Sequence, residues 1–97
     1  MSETLPEHAS VVVIGGGIMG CSTLYHLARM GVGDAVLVER NQLTSGTTWH
    51  SAAQVRALRH SRNLTRMIQY SVDLYAQLEE ETGQNVGWIQ KGSLSIA

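Results

Sequence analysis

Val11 to Ile14 form an uninterrupted apolar run that breaks into glycines at positions 15, 16, 17 and 20. Such a run has the character of a parallel strand buried on both faces. From about Ile18 to Met30, Cys21, Leu24, Leu27 and Ala28 fall on one side and Ser22, His26 and Arg29 on the other, which predicts an amphipathic crossover helix. Gly31 is placed to cap it in the left-handed conformation, and Gly33-Asp34 reads as a turn. Ala35 to Val38 is then a second apolar strand, which a right-handed crossover sets beside the first.

Further along, Leu64, Met67, Ile68, Ser71, Leu74, Tyr75 and Leu78 recur at helical spacing, predicting a helix from about Asn63 to Thr82 that Gly83 ends. One of its faces is expected to pack against the sheet, and Tyr70 and Tyr75 are expected in packing. Glu79, Glu80 and Glu81 stand near the negative end of this helix, so solvent or a basic partner is expected around them. From Gly87 to Ala97 the chain has strand character: Lys91-Gly92 resembles a hairpin turn, and Leu94 and Ile96 alternate with Ser93 and Ser95. Two parallel strands and one crossover helix cannot cover both faces of a sheet. The expectation is therefore the N-terminal part of a longer protein, with residues 1–10 a disordered lead-in and 11–97 an incomplete domain.

The glycines turn this outline into chemistry. Gly15 allows a tight turn, Gly17 lets the backbone approach a pyrophosphate, and Gly20 permits close packing of helix on strand. The first helical turn, with Gly16, Ile18 and Met19 beside these glycines, aims N–H groups and a positive dipole end at phosphate. Glu39, at the carboxyl end of the second strand, can accept hydrogen bonds from an adenosine ribose and would repel a 2′-phosphate. FAD and NAD fit that arrangement; NADP does not. The fold class is thus α/β, a Rossmann-like βαβ FAD/NAD(P)-binding fold followed by a helix and the start of a β-hairpin.

Composition narrows the partners. A formal charge of -1 with 15% charged residues argues against a polyanion-binding protein. Arg56, Arg59, Arg62 and Arg66 cluster with His60, but without interleaved aromatics the cluster reads as a solvated loop entering a helix rather than a nucleic-acid patch. No stretch approaches the roughly 20 apolar residues of a membrane span. The opening residues show neither a secretory nor an organelle signal, so a cytoplasmic location is expected. The single cysteine, Cys21, allows no disulfide framework and no metal-ligand spacing, and is expected to be a structural thiol.

Between the second strand and the long helix lies Thr44-Ser45-Gly46-Thr47-Thr48-Trp49-His50-Ser51-Ala52-Ala53. By residue type this is a hydroxyl-rich loop that can reach along a bound cofactor: hydroxyls can donate to pyrophosphate, Trp49 can pack on a flat ring, and His50 can be ligand, proton shuttle or nucleophile. The same residues also suit simple packing beside a solvent-exposed histidine.

Together, Gly15-Gly16-Gly17-Ile18-Met19-Gly20, Glu39-Arg40 and Ser45-Gly46-Thr47-Thr48-Trp49-His50 resemble the N-terminal FAD-binding region of the dimethylglycine and sarcosine dehydrogenase family, flavoproteins of the D-amino-acid-oxidase class. The resemblance continues through Asn63-Leu64-Thr65, Leu74-Tyr75, Thr82-Gly83, Gly87-Trp88 and Gly92-Ser93-Leu94. It implies FAD as cofactor, held by those motif residues and joined covalently through its 8α-methyl carbon to His50. It also implies a small-molecule amine substrate, an N-methyl amine oxidised to an imine or its formaldehyde equivalent, with two electrons passing to FAD and then to an acceptor the motifs do not specify. Catalytic groups are expected in the remainder of the oxidoreductase chain. One departure stands out: Ala53 occupies a position where the family has Gly, and if that position needs positive φ, alanine costs energy. The competing readings are an NAD-dependent dehydrogenase and a non-catalytic nucleotide-binding or assembly subunit.

Overall fold

A computed structural model describes residues 5–92 of the chain, which divides into two compact units, residues 1–52 and 53–97. The first unit contains β1 (Val11–Ile14), α1 (Ile18–Arg29) and β2 (Ala35–Val38); the second contains α2 (Arg62–Thr82). β1 and β2 pair in parallel with Val11 opposite Ala35 and Ile14 opposite Val38, so the first unit is a βαβ arrangement. The Gly15 amide donates to the Val38 carbonyl at 2.9 Å, extending the ladder one residue into the glycine turn.

Helix α1 ends as its glycine predicts. Gly31 has φ 91°, its amide donates to the Ala28 carbonyl, and the Val32 amide donates to the Leu27 carbonyl. Those two reversed bonds are a Schellman cap, which needs a left-handed residue where glycine carries no Cβ penalty. The turn at Gly33-Asp34 also ties down the approach to β1, because the Asp34 carboxylate accepts the Ser10 amide at 3.2 Å and the Ser10 hydroxyl. The Ser10 hydroxyl, above all, holds the Asp34 carboxyl below the ordinary carboxylate range.

Burial departs from the sequence expectation in two places. β1 is covered on one face only: Val11 and Val13 are half-buried, whereas Val12 is 56% and Ile14 86% exposed. The reason is geometric, since the one crossover helix lies on the Val13 side, where the Cβ position of Gly20 comes 3.5 Å from Val13 Cγ1. On α1 itself, Cys21, Leu24 and Leu27 are half-buried as expected, but Ala28 is exposed, and Ser22 and His26 are half-buried. His26 tolerates this because its Nδ1 meets the Ser22 carbonyl at 2.7 Å within the same helix.

In the second unit, α2 starts at a Ser61 cap whose hydroxyl accepts the Leu64 amide at 3.3 Å and ends at Gly83 with φ 74°. Its half-buried stripe is Thr65, Ile68, Ser71, Val72, Leu74, Tyr75 and Leu78, while Leu64 and Met67 are exposed. Tyr75 stacks on Trp88 at 5.2 Å between ring centroids, and Tyr70 is 54% exposed. Glu79, Glu80 and Glu81 are exposed, as is the Arg56, Arg59, Arg62 and Arg66 cluster. Residues 87–92 hold no strand; the strand expected at Ser93 to Ile96 lies outside the described residues.

Ala53, the first residue of the second unit, has φ 55°. A left-handed alanine costs about 1–2 kcal/mol, whereas glycine gives back about 0.5–1 kcal/mol through its looser unfolded state. The difference favours glycine. Ala53→Gly is accordingly expected to raise the stability of the full-length protein by about 0.5–1 kcal/mol in a denaturant melt. A melt shifted to lower denaturant would show that the position is not held left-handed.

Candidate cofactor site

The densest point of the described chain is the glycine turn between β1 and α1, where Gly16 is the one residue that is buried. Every polar group of its peptide is engaged. Its amide donates to Glu39 Oε1 at 2.9 Å, and its carbonyl accepts the Thr44 amide at 2.8 Å and the Cys21 thiol at 3.5 Å. Cys21, expected as a buried structural thiol, is half-buried and free, and its thiol donates back to this carbonyl. Gly15 makes the reversal with φ 108°, a conformation that L side chains rarely adopt.

Glu39 is placed here by register. Val38 lies opposite Ile14, so Glu39, the residue that follows β2, stands beside the turn that leaves β1. Its second oxygen, Oε2, accepts the Asn41 amide at 2.7 Å. The Gly16 amide first, then the Asn41 amide and the charge of Arg40, hold the Glu39 carboxyl below its ordinary value, against a smaller opposing effect of burial. A depressed carboxylate keeps such ties through neutral pH and loses them only as pH falls through its lowered value. Each oxygen retains a further lone pair, so both remain able to accept a ribose hydroxyl.

Helix α1 has Gly17 as its N-cap and no side-chain cap of its own. Thr48, thirty residues on, supplies one: its hydroxyl accepts the Ile18 amide at 2.9 Å. A hydroxyl that accepts keeps its own proton to donate. The amides of Gly17, Met19 and Gly20 meet no protein acceptor among the described residues, and the first turn carries no acidic side chain. An exposed helix N-terminus with free amides and a bare glycine approach suits an anionic pyrophosphate. The residues present therefore fit the cofactor that the sequence implies.

The Thr44 to Ala53 segment is more ordered than a hydroxyl-rich loop suggests. Trp49, His50 and Ser51 amides donate to the Gly46, Thr47 and Thr48 carbonyls at 3.1, 3.0 and 3.2 Å, winding residues 46–51 into consecutive tight turns. His50 Nδ1 lies 2.9 Å from the Gly46 carbonyl. A carbonyl only accepts, so in the neutral ring Nδ1 carries the proton and Nε2 holds the free lone pair.

Of the residues singled out from sequence, the structure joins Gly16 to Glu39 and Ile18 to Thr48, with the Cβ position of Gly17 only 2.9 Å from Thr48 Oγ1. Met19 at 82% exposed, Trp49 at 76%, Arg40, Ser45, Gly46, Thr47 and His50 all present themselves to solvent. Sequence reasoning missed Asn41 and Leu43, and named Thr44 only as the start of the hydroxyl-rich loop. A Cβ on Gly16 would stand 2.7 Å from Leu43 Cδ2, and Thr44, at φ 64°, donates its amide to the Gly16 carbonyl. None of the three belongs to a periodic pattern, so no spacing in the sequence marks them as part of this turn. Among the described residues no group of His, Cys, Asp and Glu is placed to hold a metal, and no helix is long and apolar enough to cross a membrane.

Relatives extend this picture. The chain is 55% identical over 97 residues to mouse sarcosine dehydrogenase, which covers 99% of this chain and 11% of that protein. It is 46% identical over 91 residues to rat dimethylglycine dehydrogenase, covering 94% of this chain and 11% of the relative. The mouse pyruvate dehydrogenase phosphatase regulatory subunit is 47% identical over 96 residues, again 99% of this chain and 11% of the relative. The chain spans about a tenth of the length of these curated relatives. All three are mitochondrial proteins, which overturns the expectation of a cytoplasmic location. A βαβ unit with a glycine turn and an acid beside it stands at the start of this chain, residues 10–97 match the family described as FAD dependent oxidoreductase, and the chain belongs to that family.

Proposed function

We propose that this chain forms the adenine-dinucleotide end of a Rossmann-like FAD-binding domain, in a mitochondrial enzyme that oxidises an N-methylated amino acid such as sarcosine or dimethylglycine. The observation that carries the reading is the single unit formed by the glycine turn, Glu39 and the Thr48–His50 turn, in a chain 55% identical to a sarcosine dehydrogenase. When bound, FAD supplies the two-electron acceptor for the amine. The free amides of Gly17, Met19 and Gly20, with the Thr48 hydroxyl proton, hold the pyrophosphate. Glu39 takes the ribose hydroxyls while keeping the turn closed through Gly16. Ile18, Arg40, Ser45, Gly46, Thr47 and Trp49 line the path along which the cofactor extends.

His50, with Nδ1 held by the Gly46 carbonyl, would present Nε2 as its free nitrogen to the 8α-methyl carbon of a bound flavin, the attachment point that the family resemblance implies. Substrate-binding groups and the electron acceptor's docking site belong to the remainder of the protein.

A second reading has a specific support, the 47% identity to a phosphatase regulatory subunit: the same start can sit in a protein named for regulation rather than oxidation. Purified full-length protein separates the two. A flavin absorption band with formaldehyde release from sarcosine or dimethylglycine is expected; a flavin band without turnover of either amine points to the regulatory reading, and a colourless protein that binds NAD overturns the FAD assignment.

A further inference from the structure

The cap on α1 comes from an unusual place. Gly17 has no side chain to satisfy the Ile18 amide, and the acceptor arrives from Thr48, two residues before His50. The same residue anchors the following backbone, because its carbonyl accepts the Ser51 amide at 3.2 Å. On the other side His50 is tied to the Gly46 carbonyl through Nδ1 and to the Thr47 carbonyl through its amide. Among the described residues, Thr48 is therefore the side chain of this turn that hydrogen-bonds to the helix where the phosphate site starts. We infer that Thr48 is a positioning residue that latches the His50-bearing turn onto the N-terminus of α1 and so sets where Nε2 stands relative to a cofactor held at that helix.

Gly17 acquires a second role under this inference. A Cβ there would stand 2.9 Å from Thr48 Oγ1, so a bare position 17 makes room for the latch as well as for a pyrophosphate. The latch also has a chemical requirement. It needs an acceptor oxygen at a fixed distance, which serine supplies and valine, of the same shape as threonine, does not.

The inference rests on the reading of His50 as the flavin attachment point, and the experiment keeps the two apart with two readouts on full-length protein carrying Thr48→Val or Thr48→Ser. The first is hydrogen exchange of peptides covering residues 15–20 and 44–52. Exchange is expected to rise about fivefold in Thr48→Val, the equivalent of about 1 kcal/mol for one net hydrogen bond, and to return to the unmutated level in Thr48→Ser. The second is the fraction of bound flavin that stays with acid-precipitated protein, expected to fall several-fold in Thr48→Val and to recover in Thr48→Ser. Equal exchange in all three proteins overturns the latch, whatever the flavin does. Raised exchange with an undiminished acid-stable fraction overturns its positioning role. An unmutated protein whose flavin leaves entirely with the acid refutes the attachment reading, while the exchange comparison still decides whether the latch exists.

Discussion

Gly20→Ala is expected to leave the full-length protein without flavin, either as colourless soluble protein or as aggregate. The added Cβ would lie 1.8 Å from the Gly15 carbonyl oxygen and 3.0 Å from its carbon. Both are backbone atoms, so no side-chain rotation relieves the overlap; α1 has to move away from β1 or the Gly15 turn has to open. Overpacking usually costs about 1–3 kcal/mol, and an overlap with backbone belongs at or above the top of that range. The other glycines grade below it. At Gly17 the obstacle is the Thr48 hydroxyl, and at Gly16 chiefly the Leu43 methyl, both side-chain atoms that can shift. Gly33 meets nothing within 4 Å and has no positive φ, so Gly33→Ala should keep its flavin and serves as the control. The comparison is read by the flavin-to-protein absorbance ratio of the purified variants. Normal flavin content in Gly20→Ala would mean that helix and strand are not in this contact.

His50→Ala is expected to convert acid-stable flavin into flavin that leaves entirely with the supernatant, an all-or-none change, while the native protein still binds it. The separation follows from the geometry: the glycine turn is held by Gly16–Glu39 and Ile18–Thr48, and neither bond involves the His50 side chain. Mass spectrometry of the tryptic peptide containing His50 should show the flavin mass in the unmutated protein and lose it in the variant. Acid-stable flavin persisting in His50→Ala would assign the bond to another residue.

Much of the first unit was legible in the pattern of side chains. The apolar runs at Val11–Ile14 and Ala35–Val38 are strands over those residues, and the amphipathic segment between them is a helix over Ile18–Arg29. Gly31 and Gly83 end their helices left-handed because the stop signal is local, a residue without Cβ at the point where the chain must reverse. The role of Gly15 was equally readable, since a turn of φ 108° admits little else. Cellular location was not: an address is read by receptors rather than set by packing, and the expectation of a cytoplasmic location fails against relatives that are mitochondrial proteins.

The sequence by itself determined the elements, the glycine turn and the acid beside it, because each depends on side-chain spacing or on a residue's own allowed φ. Only the tertiary structure decided which atoms close the site. Glu39 on the Gly16 amide spans 23 positions and Thr48 on the Ile18 amide spans 30, and both depend on the path of residues 40–48, where no period constrains the chain. The same holds for what is covered: Val12 and Ile14 read as buried by composition, but burial is a property of neighbours, and α1 lies on the other face. Periodicity reports the average environment of a residue along its own element, whereas a single hydrogen bond between distant segments is fixed only when the loop joining them has taken one conformation.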